Sequence, residues 1–298
     1  MKTARVLLTS DIHQHIAKWE QLTAIVEEEK PNYVLIAGDL LPKTGGFKGQ
    51  RDFFPRLRRN LEQMRAAGAR VLLMMGNDDF LPLESLLDEL ARADLCGNLN
   101  GQVLREQGLI FCGVAQVRDY PFAYKDWCVA DEDHVECLIQ YRAKGLTVSA
   151  DGRWVEIDDL RKHLLSSPSL GQRLKALADQ LTTFELARSI WLVHQPPIEL
   201  GMDIVGDGQQ VGSPTLLNWI NTRQPLLGVS GHIHESPYQP GGRWISVVGD
   251  TVWVQAGQMD TRLHCVTLEI SQDCNIRNIR HSIFGPTAIE FERFTPSK

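Results

Sequence analysis

Short apolar runs alternate with amphipathic segments in the first third of the chain. The runs at residues 5–9, 33–37 and 71–75 are almost continuously apolar, which is typical of strands buried on both faces. Between them, residues 19–30 and 53–67 carry apolar side chains at helical spacing, so each segment predicts an amphipathic helix. This βαβαβ order predicts a parallel sheet.

The middle of the chain breaks this rhythm. A helix over residues 83–93 and a strand over residues 109–114 still fit the α/β pattern. Residues 119–188 are richer in charged side chains and follow no regular alternation of strand and helix. We therefore expect a single domain over residues 1–298 with an inserted cap at about 119–188.

The predicted cap has some local structure of its own. Helical spacing indicates helices near residues 132–144 and 170–186, and Asp151-Gly152 favours a hairpin turn. Aromatic side chains enrich its start, and they suit either core packing of the cap or stacking on a substrate. They are Tyr120, Phe122, Tyr124 and Trp127.

Strand patterns return in the last third of the chain. Apolar runs at residues 190–193 and 226–229 predict strands, and Ser213-Pro214 predicts a helix start with serine as the N-cap and proline as the first helical residue. From Trp244 onward the pattern is entirely that of β-strands. The strands predicted there are residues 245–248, 252–255, 263–270 and 276–281.

The composition is that of a globular protein. The chain has 298 residues, and a hydrophobic fraction of 43% is enough for a sizeable core. A formal net charge of −6 argues against binding of nucleic acid across the whole surface, although a local basic groove stays open. Apolar runs are shorter than the roughly 18 residues of a membrane span, and residues 6–8 are too few for a signal-peptide core.

The cysteines indicate a reducing compartment. The chain has 6 cysteines without a CxxC pair, and both Cys112 and Cys265 lie inside apolar runs, as buried thiols do. We therefore expect a cytoplasmic protein.

Polar side chains that can bind metal follow five of the apolar runs. Since ligands bind beyond the carboxyl ends of the strands in open α/β sheets, these side chains are expected to converge in space. The segments are Asp11-Ile12-His13, Gly38-Asp39, Gly76-Asn77-Asp78-Asp79, His194-Gln195-Pro196-Pro197 and Gly231-His232-Ile233-His234. The candidate metal ligands are Asp11, His13, Asp39, Asn77, His194, His232 and His234.

These residue types suit a pair of divalent cations. Imidazole and carboxylate ligands together bind Mn, Fe, Zn, Co or Ni, and the ligand set does not choose among these metals. A carboxylate can bridge two cations and offset their mutual repulsion. Ligands two residues apart, as in Asp11 and His13, can lie on one side of a non-helical segment. Glycine before a ligand, as at Gly76, permits close approach of the backbone.

The five motifs together resemble the calcineurin-like metallophosphoesterase superfamily. The pattern D-x-H, G-D, G-N-x-D, H-x-P-P and G-H-x-H extends over about residues 5–257 and leaves the cap unmatched. The resemblance implies a four-layer α/β/β/α sandwich of two mixed sheets that holds two metal ions. It implies one metal bound by Asp11, His13, Asp39 and His234. It implies a second metal bound by Asp39, Asn77, His194 and His232, with Asp39 as the bridge.

The resemblance also implies a reaction, in which a hydroxide between the two metals attacks phosphorus in line with the leaving oxygen. The family often has a histidine after the motif asparagine as the proton donor, but this chain has Asp78. An aspartate has an ordinary pKa of about 3.9, and nearby cations favour its ionised form, so Asp78 is a poor donor at neutral pH. His15 is the substitute candidate because it lies two residues beyond His13.

This departure favours phosphodiester hydrolysis, since related proteins without the histidine tend to be phosphodiesterases or to prefer good leaving groups. The alternatives are a phosphomonoesterase or a nucleotide pyrophosphatase. From a different class, the alternative is a catalytically idle scaffold that binds metal. The expected partner is a phosphoester substrate. Its identity, including whether it is a nucleotide, and the oligomeric state stay open.

Overall fold

The computed structural model describes residues 3–132, 144–289 and 291. The helices are α1 (Ala17–Glu29), α2 (Gly46–Ala66), α3 (Glu84–Arg92), α4 (Leu160–Leu164), α5 (Leu170–Ala178), α6 (Thr183–Leu186) and α7 (Pro214–Arg223). Within the described ranges, no helix combines the length and the apolar character needed to cross a membrane.

Strands make up most of the remaining framework. In the first half they are β1 (Thr3–Thr9), β2 (Tyr33–Ala37), β3 (Arg70–Met74), β4 (Gly97–Asn98), β5 (Val103–Glu106), β6 (Leu109–Val114), β7 (Leu146–Val148) and β8 (Trp154–Glu156). In the second half they are β9 (Ser189–Val193), β10 (Leu227–Val229), β11 (Ile245–Val248), β12 (Thr251–Val254), β13 (Val266–Ser271), β14 (Ile276–His281) and β15 (Gly285–Pro286).

The first large sheet combines strands from both ends of the chain. Its order is β15-β14-β13-β1-β2-β3-β4. The strands β1, β2, β3 and β4 run parallel, as the βαβαβ pattern predicts. The tail strand β13 pairs antiparallel with β1 and places Leu268 opposite Val6, so the C-terminal strands extend the N-terminal sheet.

The second large sheet is also mixed. Its order is β11-β12-β10-β9-β6-β5. The four inner strands β12, β10, β9 and β6 are parallel to one another. The edge strands β11 and β5 pair antiparallel with their neighbours. The carboxyl ends of β9 and β10 therefore lie at the same edge of this sheet.

The two large sheets pack face to face, with helices on their outer sides. Tyr33 of β2 and Phe111 of β6 meet across the interface, with ring centroids 4.9 Å apart. Helices α1 and α2 share one buried core with the first sheet. Helices α5 and α7 pack on the second sheet, where the ring centroids of Trp191 and Trp219 are 4.4 Å apart. This arrangement confirms the expected four-layer sandwich of two mixed sheets.

Two helix predictions need correction. Helix α2 begins at Gly46 rather than at residue 53, because the helix continues upstream through polar residues that carry no apolar stripe and tolerates Pro55 in its interior. The predicted helix over residues 170–186 is two helices. Thr182 is the N-cap of the second helix, since its side chain accepts a hydrogen bond from the backbone N–H of Glu185, and the Glu185 side chain accepts one from the backbone N–H of Thr182.

The cap segment is only partly described. The hairpin predicted at Asp151-Gly152 is confirmed, because β7 and β8 pair antiparallel on either side of it. Helix α4 was not predicted from the sequence. Residues 133–143, which include most of the helix predicted near 132–144, lie outside the described residues. The assignment of 119–188 as a cap within a single domain stays a prediction.

Candidate metal centre

Five loops that follow strand ends carry the candidate ligands to one place. Asp11 follows β1, Asp39 follows β2, and Asn77 follows β3 in the first sheet. His194 and His232 follow β9 and β10 in the second sheet. Since the sheets pack face to face, the carboxyl ends of both sets of parallel strands meet at one edge of the sandwich. The fold thus provides the convergence that the sequence pattern predicts.

Four of the candidate ligands form a tight cluster. One ligand atom from each of Asp11, His13, Asp39 and His234 lies within 4.8 Å of the other three. The Nε2 atoms of His13 and His234 are 3.2 Å apart. His13 Nε2 is 3.5 Å from Asp39 Oδ2, and His234 Nε2 is 3.4 Å from Asp11 Oδ1. These separations allow a single cation to contact all four side chains.

The other candidates form a second group that shares Asp39. Asn77 Oδ1 lies 2.9 Å from His194 Nε2 and 2.5 Å from His232 Nδ1. His194 Nε2 is 3.6 Å from Asp39 Oδ1, while Asp39 Oδ2 faces His13. The carboxylate of Asp39 therefore lies between the two groups, and the structure brings all seven candidate ligands together.

Several features show that the two groups fit cations. Asp39 Oδ2 is buried without a hydrogen-bond partner, which is costly for a carboxylate oxygen. The facing Nε2 atoms of His13 and His234 leave room for only one hydrogen atom between them, whereas a cation could accept the Nε2 lone pairs of both histidines. His194 Nδ1 donates to the carbonyl of Ala37 at 2.7 Å, which directs the lone pair of Nε2 towards Asn77 and Asp39.

The protonation states also suit metal binding. Burial opposes ionisation of Asp11 and Asp39, but the nearby histidines outweigh it and hold both carboxyl pKa values well below their usual range. Burial lowers the pKa of His13 and of His232 to about 3, so both imidazoles are neutral at neutral pH. Ionised carboxylates and neutral imidazoles are the forms that bind metal.

His194 differs from these two histidines. Burial alone would lower its pKa, but the carboxylates of Asp39 and Asp11 raise the pKa to about 9. Without a cation, His194 therefore carries a positive charge beside the two buried carboxylates. A cation bound by these carboxylates would favour the neutral imidazole and release a proton from His194.

Glycines let the ligand loops pack this closely. A Cβ atom on Gly76 would lie 2.3 Å from Asp39 Oδ1 and 2.7 Å from His194 Nε2. Gly38 has a φ of +99°, and a Cβ atom there would lie 2.4 Å from His194 Nδ1. Neither position accepts a side chain without moving a candidate ligand. The backbone at both glycines therefore lies as close to the candidate ligands as the sequence pattern predicts.

Asp79 fixes the loops that carry Asp39 and Asn77. Its fully buried carboxylate accepts hydrogen bonds from the backbone N–H groups of Leu40, Leu41 and Gly76, at distances from 2.7 to 3.1 Å. The two loops are thereby joined through one side chain. Sequence reasoning placed Asp79 in the G-N-x-D motif but gave it no role, although an acidic residue directly after a ligand loop is a usable signal.

Asp78 lies at the open side of the first group. Its backbone N–H donates to Asp39 Oδ1 at 2.8 Å, and its Oδ2 lies 3.8 Å from His13 Nε2. Lys43 Nζ is 2.5 Å from Asp78 Oδ2. Lys43 was not among the predicted site residues, because nothing in its local pattern distinguishes it from an ordinary surface lysine.

His15 is partly buried, and within the described ranges no hydrogen bond or ring contact joins its imidazole to a candidate ligand. Its role as a proton donor stays a prediction.

The aromatic residues at the start of the cap divide into two kinds. Trp127 is fully buried and its indole donates to the carbonyl of Asp79 at 2.6 Å, so it packs its own segment onto a ligand loop. The ring of Tyr120 meets the ring of His232 edge to face at 5.7 Å. Phe122 is 72% exposed beside Tyr120. Tyr120 thus forms a wall of the site, whereas Phe122 faces solvent.

Comparison with known proteins gives a family match. The family model described as calcineurin-like phosphoesterase matches residues 4–236. That range includes all seven candidate ligands. No curated protein sequence matches the chain significantly.

Solved structures resemble the whole fold at low sequence identity. The protein TT1561 of Thermus thermophilus is 17% identical with a TM-score of 0.56, and the match covers 94% of this chain and 98% of that one. A dimetal phosphatase from Danio rerio is 13% identical with a TM-score of 0.52, covering 96% of this chain and 97% of that one. At such identities these likenesses establish the shared fold alone.

Proposed function

Because the chain belongs to the calcineurin-like phosphoesterase family, we propose that it hydrolyses phosphodiesters at the centre formed by its two ligand groups. The family and the candidate metal cluster make the protein a metal-dependent phosphoester hydrolase. The finer assignment to diesters rests on one observation. The position after Asn77 holds Asp78, which is ion-paired with Lys43 beside the cluster.

Asp78 is poorly suited to act as the proton donor for a leaving group. Burial and the charge of Asp39 raise the pKa of Asp78, but its carboxylate is the ion-pair partner of Lys43, and protonation would break that pair. This arrangement favours diesters with leaving groups that are stable without a proton.

We propose the same ligand sets that the resemblance implies. Asp11, His13, Asp39 and His234 would hold one divalent cation. Asp39, Asn77, His194 and His232 would hold the other. When bound, such a pair of cations supplies an activated water at neutral pH and neutralises the phosphate oxygens. The donor atoms suit Mn, Fe, Zn, Co or Ni.

The protein's own side chains orient this chemistry. His194 is fixed through Ala37, and Asp39 is fixed through the backbone N–H of Asp78. The ring of Tyr120 packs edge to face against His232 and forms a wall on that side of the site.

A direct test compares a diester with the matched monoester. The purified protein is loaded in turn with Mn²⁺, Fe²⁺, Zn²⁺, Co²⁺ and Ni²⁺, and kcat/KM is measured for bis-p-nitrophenyl phosphate and p-nitrophenyl phosphate. We expect at least about tenfold preference for the diester, which corresponds to about 1.4 kcal/mol of discrimination. Preference for the monoester would contradict the proposal, and bound metal without turnover of either ester would support the idle scaffold instead.

A matched pair of variants tests the assignment of the ligands. Asp39→Asn should lower the metal content and reduce kcat/KM by at least about a hundredfold, because one oxygen of the proposed bridge is lost. Asp52→Asn removes a carboxylate from an exposed ion pair on α2 and should leave both quantities unchanged. Equal effects of the two substitutions would overturn the assignment.

We also propose that the protein works in a reducing compartment such as the cytoplasm. Cys96, Cys112, Cys128, Cys265 and Cys274 are buried free thiols. Buried free thiols are typical of proteins from reducing compartments. Localisation of a fluorescent fusion in the source cell would test this point.

A further inference from the structure

An ion pair stands beside the candidate metal centre without belonging to either ligand group. Lys43 Nζ lies 2.5 Å from Asp78 Oδ2, and their side chains are 46% and 29% exposed. Asp11 and Asp39, in contrast, are fully buried. The Lys43–Asp78 pair is therefore accessible to a ligand that enters the site.

The pair is not needed to hold the loop in place. Gln50 of α2 donates to the carbonyl of Asp78 at 2.7 Å and accepts from the N–H of Phe80 at 2.8 Å. The backbone N–H of Asp78 donates to the carboxylate of Asp39, and the side chain of Asp79 joins the same loop to the backbone of Leu40 and Leu41. Exposed ion pairs add little stability to a loop that is already fixed in this way. A binding role explains the position of Lys43 better.

The two hydroxyl groups that lie against the candidate ligands already donate their hydrogen atoms within the protein. Of the described side chains that contact the ligands, Ser10 donates its hydroxyl hydrogen to Asp11, and Tyr120 donates its own to a backbone carbonyl. Asp78 is paired with Lys43. A leaving group that is stable as an anion without a proton suits such a site, and a phosphate monoester is one.

We propose that Lys43 binds a second phosphate group of the substrate, so that the natural substrate is a diphosphate diester whose two phosphates share a bridging oxygen. This inference rests on the proposed function, and it assigns to the same centre a diester whose reacting bond is the diphosphate bridge, as the pyrophosphatase alternative would have it. In the reaction, a water oxygen bonds to one phosphorus while the bond from that phosphorus to the bridging oxygen breaks. The electron pair stays on the bridging oxygen, two phosphate monoesters leave as dianions, and two protons pass to solvent.

Asp78 has a defined part in this scheme. Without substrate, its carboxylate occupies Lys43, and the second phosphate replaces it as the partner of the ammonium group. Removal of Lys43 and removal of the Asp78 charge therefore change the affinity for the diphosphate in opposite directions. Loss of Lys43 weakens binding of the diphosphate, whereas loss of the charge on Asp78 strengthens it. A merely structural ion pair would make both substitutions act in the same direction.

The first experiment measures binding without turnover. The probe is the methylene-bridged analogue of diadenosine diphosphate, titrated calorimetrically into the metal-loaded protein at saturating Mn²⁺. We expect Lys43→Met to raise Kd about tenfold to a hundredfold and Asp78→Asn to lower it severalfold, while Lys43→Arg stays near the wild type. Lys48→Met, at an exposed lysine on α2, is the matched control and should not change Kd. Weaker binding in both Lys43→Met and Asp78→Asn would overturn the inference.

The second experiment measures selectivity. We compare kcat/KM for diadenosine diphosphate with that for the adenosine dinucleotide joined by a single phosphate. The wild type should prefer the diphosphate, and Lys43→Met should reduce the ratio of the two values at least about tenfold. An equal or higher value for the single-phosphate dinucleotide would refute this inference while it supports the proposed phosphodiesterase. Failure to hydrolyse either compound or a chromogenic diester would instead refute the proposed function, and the inference with it.

Discussion

Removal of the Asp79 carboxylate should destabilise the protein and disturb its metal centre together. The side chain is fully buried and accepts backbone hydrogen bonds from Leu40, Leu41 and Gly76. Asp79→Ala leaves three buried N–H groups without an acceptor, and each costs about 1–3 kcal/mol. Since water can enter part of the vacated space, we expect a loss of about 3–5 kcal/mol, which a domain of ordinary stability can survive.

Urea denaturation in the presence of a chelator measures this loss without any contribution from bound metal. Asp79→Asn retains one acceptor oxygen and should lose less, about 1–3 kcal/mol. Asp52→Ala removes a half-exposed carboxylate on α2 and should change stability by less than about 0.5 kcal/mol. Metal content, measured in parallel, should fall for both Asp79 variants. A loss below about 1 kcal/mol for Asp79→Ala would refute the proposed role of this carboxylate.

Three other perturbations give separable outcomes. Gly76→Ala places a Cβ atom 2.3 Å from Asp39 Oδ1, so the metal content should fall and kcat/KM should fall at least about a hundredfold. The control Gly206→Ala meets no atom within 4 Å and should change neither quantity. Normal metal binding by Gly76→Ala would contradict the geometry. Asp78→His should raise activity on esters with poor leaving groups. The measurement is the dependence of rate on the pKa of the leaving group, and an unchanged dependence would disprove this prediction. Burial lowers the pKa of His264 from 6.5 to about 4, so the neutral form stabilises the fold above pH 6.5 and this contribution is lost as the pH falls towards 4. In urea titrations between those pH values, His264→Phe should reduce the slope of stability against pH by up to about 1.4 kcal/mol per unit, and an unchanged slope would exclude this histidine as a source.

The strands of the two sheets were predictable because a strand that is buried on both faces appears in the sequence as a continuous apolar run. The run over β2, Tyr33–Ala37, was predicted with its observed bounds, since all five side chains are buried and apolar. Helix α7 was predicted from Ser213-Pro214, and the Ser213 side chain does accept a hydrogen bond from the N–H of Leu216. Local chemistry alone determines such features.

Elements without a local signal were missed or misplaced. The start of α2 at Gly46 has no apolar stripe, because its first turns are mostly exposed. The short strand β4 (Gly97–Asn98) exists only because β3 lies beside it. The pairing of β13 with β1 joins residues far apart in sequence, and no periodicity in either strand specifies its partner.

The same division holds at the site. The sequence by itself determined which residues could bind metal, because each ligand type follows an apolar run directly and strand ends converge in parallel sheets. Only the tertiary structure decided that Lys43 meets Asp78, that Asp79 joins two ligand loops, and that the ring of Tyr120 faces His232. These contacts link different loops across the edge of the sandwich. Their formation depends on the packing of two sheets, which no local pattern of residues records.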